Sequence, residues 1–304
     1  YLETICKYKK MKVLVLGHNG WIGSMMIHLL TNKNVHYVTT HIRPEQKQEF
    51  ESFLISEKPT HVMSFIGRTH GKIGDKQYTT IDYLEQSGKL KENVRDNLFS
   101  PLVLALLCKK YKIHYTYLGT GCIFKFDETH PFGKELNGFK EEDTPNFFGS
   151  SYSIVKGYTD ELMHLLEENV LNIRIRMPIT SKDEPRNFIS KILKYEYICS
   201  VPNSMTVLDE LLSYVLDMAL NKNLTGTINL TNPGLISHNE ILEMYRDNID
   251  PNFNWKNFNQ EEQLNILDAD RSNNFLDTSR LEALYPEIKN IHESILNVIT
   301  NWTK

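Results

Sequence analysis

The chain opens on an unbroken apolar run, Val13, Leu14, Val15 and Leu16, the pattern of a strand buried on both faces of a parallel sheet. Gly17, Gly20 and Gly23 follow at three-residue spacing, and an apolar helix is expected over 22–30. Short apolar runs then alternate with amphipathic stretches. Strands are expected over 35–40 (V-H-Y-V-T-T), 61–66 (H-V-M-S-F-I), 114–118, 172–177 and 226–230, with Pro178 stopping the fourth of these five. Helices are expected over 44–57, 93–111, 150–168 and 208–220. In 93–111 the spacing turns Leu98, Leu102, Leu106 and Leu107 inward, Cys108 packs as a small hydrophobe, and Asn97 is structural.

Strands alternating with helices point to an α/β fold, a Rossmann-type doubly wound parallel sheet with a smaller C-terminal substrate domain. Residues 11–180 are expected to form the dinucleotide-binding domain, with 205–232 returning to it; 181–204 and 233–304 form the second unit. Residues 72–90 read as a lid or wall, and 125–149 as a loop too long for a mere connection. Ser237 with Glu240 three residues on is a capping-box helix start.

The 304 residues carry a net charge of -4, with 40% hydrophobic and 24% charged side chains. That balance excludes a disordered chain and a general polyanion binder, so no nucleic-acid partner is expected. No apolar run approaches the roughly 20 residues that span a bilayer, and no signal-peptide core precedes Met11. A soluble, cytoplasmic protein is expected, and residues 1–10 read as an extension that contributes little to the fold. Cys6, Cys108, Cys122 and Cys199 are scattered without C-x-x-C pairing. Reduced thiols and no metal site follow.

The stretch G-H-N-G-W-I-G (17–23) makes a turn without Cβ atoms between a strand and a helix N-terminus, which suits the diphosphate of a dinucleotide. Gly17, Asn19, Gly20, Trp21, Ile22 and Gly23 are the candidate cofactor contacts, with Gly67 in the loop after the third strand. An Asp or Glu at the end of the second strand would hold a free ribose; here stand Thr39, Thr40, His41, Ile42 and Arg43. The absence of an acid, and Arg43 beside the 2′-position, favour NADP(H).

Tyr152 and Lys156 stand four apart on an expected helix and so leave one face. A lysine cation favours a nearby phenolate, which would let Tyr152 exchange a proton with a carbonyl while Lys156 holds ribose hydroxyls. Y-x-x-x-K alone is common by chance. With the glycine turn, and with Thr120 at a strand end about thirty residues earlier, it resembles the extended short-chain dehydrogenase/reductases. The segments G-T-G-C-I-F, F-K-E-E-D-T-P-N-F, R-N-F-I-S-K-I, P-N-S-M-T-V-L-D-E-L-L, N-P-G-L-I-S-H-N-E-I-L-E-M-Y-R-D and R-S-N-N-F-L-D look like the plant and giant-virus nucleotide-rhamnose synthases, and more distantly like bacterial dTDP-4-dehydrorhamnose reductase.

The resemblance implies a bifunctional 3,5-epimerase/4-reductase acting on UDP- or dTDP-4-keto-6-deoxyglucose with NADPH, and a homodimer. It implies Thr120, Tyr152 and Lys156 for reduction and Cys122 with Lys191 for epimerisation. Asn187, Arg271 and Asn274 fall in the segments implied to bind substrate. Without the resemblance, Cys122 reads as a buried filler and Lys191 as a solvated cation. A 4,6-dehydratase would need an acid pair after the strand-end Thr, where Gly121 and Cys122 stand. A reductase lacking epimerase activity and a non-catalytic NADP-binding regulatory subunit are the alternative readings.

Overall fold

The structure, a computed structural model, describes residues 11–133 and 137–303. The expected N-terminal extension and Cys6 lie outside the described residues. Six strands form one parallel sheet: β1 (Val13–Leu16), β2 (Tyr37–Thr39), β3 (His61–Ser64), β4 (His114–Thr120), β5 (Val170–Ile175) and β6 (Gly226–Asn229). Their spatial order is β2-β1-β3-β4-β5-β6. The apolar runs explain why both faces are covered. Val13 and Val15 pack beneath α1 (Trp21–Asn32) and α5 (Leu208–Leu220). Leu14 and Leu16 face the other way, against α2 (Lys47–Glu57), α3 (residues 90–111) and α4 (Ser151–His164). The strand order reverses between β1 and β3, so a crevice opens at their carboxyl ends, where ligands enter sheets of this kind.

Helix α3 is not a uniform α-helix. It runs Leu90–Val94, then a π-turn Arg95–Phe99, then Ser100–Tyr111. The wider turn buries two consecutive polar residues, Asp96 and Asn97. It also resets the phase downstream: Leu104, Ala105 and Cys108 are buried, whereas Leu106 is 50% exposed, contrary to the inward position its spacing gave it. Residues 72–90 form part of a hairpin, Gly71–Ile73 against Lys76–Tyr78, followed by a 3₁₀ turn Ile81–Glu85.

Pro178 does more than stop β5. Met177 turns the chain at φ +40°, and Pro178–Ile179 then pairs in parallel with Thr206–Val207. Proline loses nothing there, because this two-stranded edge needs few backbone donors. The pairing opens a second core of Ile179, Ile189, Val207, Ile241, Ile295 and neighbours, separate from the sheet. The helix His238–Asn248 begins with the expected Ser237/Glu240 capping box. Leu281 and Tyr285, in the stretch expected to belong wholly to the second unit, pack on the sheet side instead. The Tyr285 ring lies tilted against Tyr214 with centroids 4.4 Å apart, and its hydroxyl donates to Asp217 at 2.7 Å, which draws that segment back. Among the described residues no helix is long and apolar enough to cross a membrane.

Candidate active site

The glycine turn is required by close approach. Gly17 has φ +74°, and a Cβ there would lie 2.8 Å from the Phe65 carbonyl carbon at the end of β3. A Cβ on Gly23 would lie 2.1 Å from the Gly17 oxygen. The helix that follows starts at an N-cap glycine with no side-chain cap and no acid in its first turn, leaving its N–H groups and dipole to an anion. Gly17, His18, Asn19, Gly20, Thr40, His41, Ile42 and Arg43 line a cleft of about 190 Å³ together with Leu16, Pro44 and Ile66. His18 and His41, which the motif did not single out, face each other across it at 5.3 Å. This donor-rich, acid-free cradle fits a dinucleotide diphosphate.

Arg43 reaches the cleft but is already paired. Its guanidinium donates to Asp96 at 2.6 Å and to Glu45 at 2.5 Å. Asp96, supplied by the π-turn, also accepts from Arg68 at 3.1 Å and Arg95 at 2.7 Å. Its neighbour Asn97 holds the loop containing Gly67: it accepts from the Arg68 amide at 2.9 Å and donates to the Arg68 carbonyl at 2.8 Å. Asn97 is therefore structural, as its place in the helix suggested.

The chemistry-bearing residues gather where β4 ends. The Gly121 amide donates to the Ile175 carbonyl at 3.0 Å, prolonging the β4–β5 pairing past Thr120. The Cys122 amide turns back onto the Thr120 hydroxyl at 3.1 Å. Ser153 donates to the Cys122 carbonyl at 2.8 Å, stitching the first turn of α4 to this loop. That tie brings Tyr152 within hydrogen-bonding reach of Thr120 and close to Cys122. Burial, and then the proximity of Cys122, push the Tyr152 phenol up, while the Thr120 hydrogen bond works the other way. One turn on, Lys156 is buried at 4% exposure; it donates to the Tyr117 hydroxyl and to the Leu118 carbonyl at 3.2 Å. Burial pulls its amine down to about 7 against the pull of Asp160 and Cys122.

Three buried groups support the Cys122 loop from below. The Arg176 guanidinium donates to the Gly121 carbonyl at 3.0 Å and to Ser272 at 2.9 Å. Ser272 in turn donates to the Phe124 carbonyl at 2.6 Å. Asn274 donates to both carbonyls at 2.9 Å. Asn274 was expected at the substrate; its amide nitrogen is instead spent on this loop, although its oxygen has no partner among the described residues. Asn187 is likewise fully buried. It caps the helix Phe188–Ile192 and donates to Thr180 and Lys182 carbonyls at 2.8 Å. Arg176 was missed, though an arginine closing an apolar strand (L-N-I-R-I-R) is a readable signal of buried polar work.

Lys191 does not join the Thr120–Cys122–Tyr152–Lys156 group by any contact. It sits on the helix Phe188–Ile192, and among the described residues its ammonium makes no hydrogen bond or ion pair. Burial, then the charges of Arg186 and Arg271, lower its pKa. Its field reaches His70, in the loop after β3. Arg271 is fixed by Asp82 at 2.5 Å and by the Ala269 carbonyl at 2.6 Å. Among the described residues no group of three His, Cys, Asp or Glu side chains could hold a metal ion.

A phenol and an amine one helical turn apart, facing a strand-end hydroxyl beside a dinucleotide cradle, define an NAD(P)-dependent enzyme of the extended short-chain dehydrogenase/reductase class. No protein-family model matches the chain. It is 54% identical over 290 residues, 95% of this chain and 98% of the other, to protein L780 of Acanthamoeba polyphaga mimivirus. The crystal structure of that protein, a UDP-rhamnose synthase, superposes with a TM-score of 0.91 at 53% identity, covering 96% of this chain and 99% of that one. The bifunctional dTDP-4-dehydrorhamnose 3,5-epimerase/dTDP-4-dehydrorhamnose reductase of Arabidopsis thaliana is 45% identical over 94% of this chain and 91% of its own length. A Bacillus anthracis dTDP-4-dehydrorhamnose reductase, solved with NADP, shares the fold at a TM-score of 0.75 and 14% identity, covering 95% of this chain and 97% of its own. The chain belongs to the nucleotide-rhamnose epimerase/reductase family.

Proposed function

We propose that the protein is a bifunctional 3,5-epimerase/4-reductase that converts a nucleotide-bound 4-keto-6-deoxyglucose, with UDP or dTDP as carrier, to the L-rhamnose nucleotide using NADPH. The observation that carries this reading is the single turn that brings Thr120, Cys122, Tyr152 and Lys156 together, in a chain 45–54% identical to members of the family.

The nicotinamide, when bound, supplies the hydride for C4. The protein supplies the rest. Thr120 donates to the ketone oxygen, a preorganised donor aimed where negative charge develops. Tyr152 delivers the proton to that oxygen. The buried Lys156 lowers the cost of the phenolate left behind and offers a donor to the ribose. For epimerisation the same ketone acidifies the hydrogens on C3 and C5, and Thr120 with Tyr152 steadies the enolate. Cys122 and Lys191 take the acid and base roles, since inversion needs proton transfer on both faces of the ring. Burial and the neighbouring Arg186 and Arg271 lower the Lys191 pKa, which makes it easier for the amine to give up a proton than for a solvated lysine.

The preference for NADPH is supported by the acid-free end of β2 and by Arg43 at the cleft. Arg271, held by Asp82 near Lys191, is the substrate contact supported best. The division into a dinucleotide unit and a substrate unit is supported by the two separate cores. A homodimer through α3 and α4 is supported by Leu90, Val94, Leu106, Ile154 and Tyr158, large apolar side chains left exposed on these two helices. The test of function is to incubate the protein with UDP- or dTDP-4-keto-6-deoxyglucose and NADPH and identify the sugar. A rhamnose product is expected; a D-configured 6-deoxyhexose would leave only reduction, and no turnover would leave only binding.

A further inference from the structure

Two of the three N–H bonds of the Lys156 ammonium are committed inside the protein, one to the Tyr117 hydroxyl and one to the Leu118 carbonyl. A single N–H remains for the active site. The amine also lies 4.5 Å from the centre of the Tyr117 ring. Tyr117 is 1% exposed on β4, three residues before Thr120, and packs among Leu14, Leu16 and Met163. Its pattern in the sequence is that of a core residue. Yet its hydroxyl meets Lys156 and, among the described residues, no other hydrogen-bond partner.

We propose that Tyr117 is a positioning residue for Lys156, holding the amine in one place in both of its protonation states so that one N–H stays directed at Tyr152 and the cofactor ribose. The inference rests on the reductase reading above. While Lys156 is an ammonium, the phenol oxygen accepts its hydrogen bond; once the amine is neutral, the phenol O–H can donate to the nitrogen lone pair. A carbonyl could do only the first. The distinction matters because Lys156, drawn down to about 7, changes charge near neutrality. The phenol does not: burial, then Tyr115, Tyr152 and Asp160, hold Tyr117 well above the usual phenol range.

Among the described residues, four titratable groups act on this pair: Asp160, Cys122, Tyr152 and Tyr115. Asp160, one turn along α4 and bound to Arg174 at 2.6 Å, favours the ammonium, as does Cys122 from the loop after β4. Tyr152 lies on the same helix, and Tyr115 on the same strand as Tyr117. None of these bonds Lys156 directly, so among the described residues removing the Tyr117 oxygen leaves only the Leu118 carbonyl. The ammonium then loses more than the neutral amine, because a hydrogen bond to a charged group is the stronger one. The pKa of Lys156 falls further, and reduction fails at a lower pH.

The experiment is the pH profile of ketone reduction, measured as NADPH oxidation, in Tyr117→Phe and the parent, with Tyr152→Phe and Lys156→Ala as references. Phenylalanine keeps the ring under the cation. The expected result is an alkaline limb displaced toward acid by about one pH unit, with turnover on that limb roughly tenfold lower. Should Tyr117→Phe fail to fold, 3-fluorotyrosine at position 117 keeps the shape while weakening the acceptor, and its limb should move the same way by less. Superimposable profiles, with Tyr152→Phe and Lys156→Ala inactive, overturn the role of Tyr117 and leave the reductase reading intact. Retained turnover in Tyr152→Phe strikes that reading itself, and with it the inference built on it.

Discussion

The Cys122 amide donates to the Thr120 hydroxyl at 3.1 Å, and this fixes the direction in which Thr120 can donate. With one lone pair occupied from behind, the hydroxyl proton is free to point toward Tyr152 and the ketone oxygen. Thr120→Val removes that donor and orphans the Cys122 amide. Turnover on an already epimerised ketone should fall about 10²–10³-fold, the range for losing one oxyanion donor. Thr120→Ser should keep most of it. Equal loss in both variants, at unchanged melting temperature, would assign Thr120 to packing.

Arg43, expected beside the 2′-position, carries two carboxylate partners at the cleft, so its charge is shared before any ligand arrives. A 2′-phosphate must compete with Glu45, the more exposed of the two, while the buried Asp96 keeps the guanidinium at the rim. Preference for NADPH over NADH should therefore be present. Arg43→Ala should narrow it by at most about 1.5–3 kcal/mol, the worth of a charge-assisted hydrogen bond. The measurement is the ratio of kcat/KM for the two cofactors; a ratio of one in the parent sinks the idea.

What could be read from the sequence, and what could not, divides along physical lines. The runs Val13–Leu16 and His61–Ser64 announced themselves because a strand buried on both faces must be continuously apolar. The glycine turn and the Tyr152/Lys156 spacing were legible because each is a local constraint. The inward face of α3 was not, since a π-turn shifts the phase of every residue after it and leaves Leu106 half in water. Asn187 and Asn274 were expected at the substrate by their segments; the amide nitrogens of both are spent on backbone carbonyls that only the folded chain brings near, while the Asn274 oxygen has no partner among the described residues. Arg176, Asp82 and Tyr117 act through partners 27 to 189 positions away, which no window along the chain contains.

Asp82 is a clamp between the 3₁₀ turn and the segment that presents Arg271. One of its oxygens accepts the Asp268 and Ala269 amides at 3.0 Å each; the other accepts Arg271 and Thr80. Asp82→Asn keeps the shape and loses the charge. The KM for the nucleotide sugar should rise roughly tenfold, equivalent to about 1.4 kcal/mol, with the KM for NADPH unchanged. A parallel rise in both constants would mean that the clamp serves the whole fold.

Acid should destabilise the protein through its buried histidines. Burial, then the neighbouring His114 ring, pulls His61 down to about 4, against 6.5 for the free side chain. Between those values the unfolded chain binds a proton that the folded chain refuses. Stability contributed by the neutral ring is therefore complete above about 6.5 and is lost as pH falls toward 4. At about pH 5 the cost from His61 should be of order 2 kcal/mol. Urea midpoints at about pH 7.5 and about pH 5 measure it, and His61→Gln should flatten the difference. An unchanged slope in that variant would place the acid sensitivity elsewhere, with His238, also drawn down to about 4, as the next group to replace.

Cys122 and Lys191 should serve epimerisation and not reduction. Cys122 shares its turn with the reductive pair, while Lys191 stands on the helix of the second core with an ammonium that has no partner among the described residues. Two groups on separate elements can address opposite faces of one sugar ring, as inversion at C3 and C5 demands. Cys122→Ala or Lys191→Ala should stop solvent deuterium from washing into C3 and C5 in the absence of NADPH. General acid–base catalysis puts the loss at about 10²–10⁴-fold. NADPH oxidation with the pre-epimerised ketone should survive in both, because Thr120, Tyr152 and Lys156 remain in place. Mass spectrometry of the recovered sugar reads the first quantity and nicotinamide absorbance the second. Undiminished exchange in both variants would move the acid and base elsewhere. Loss of exchange and of reduction together, in a folded protein that still binds NADPH, would make the two residues substrate contacts.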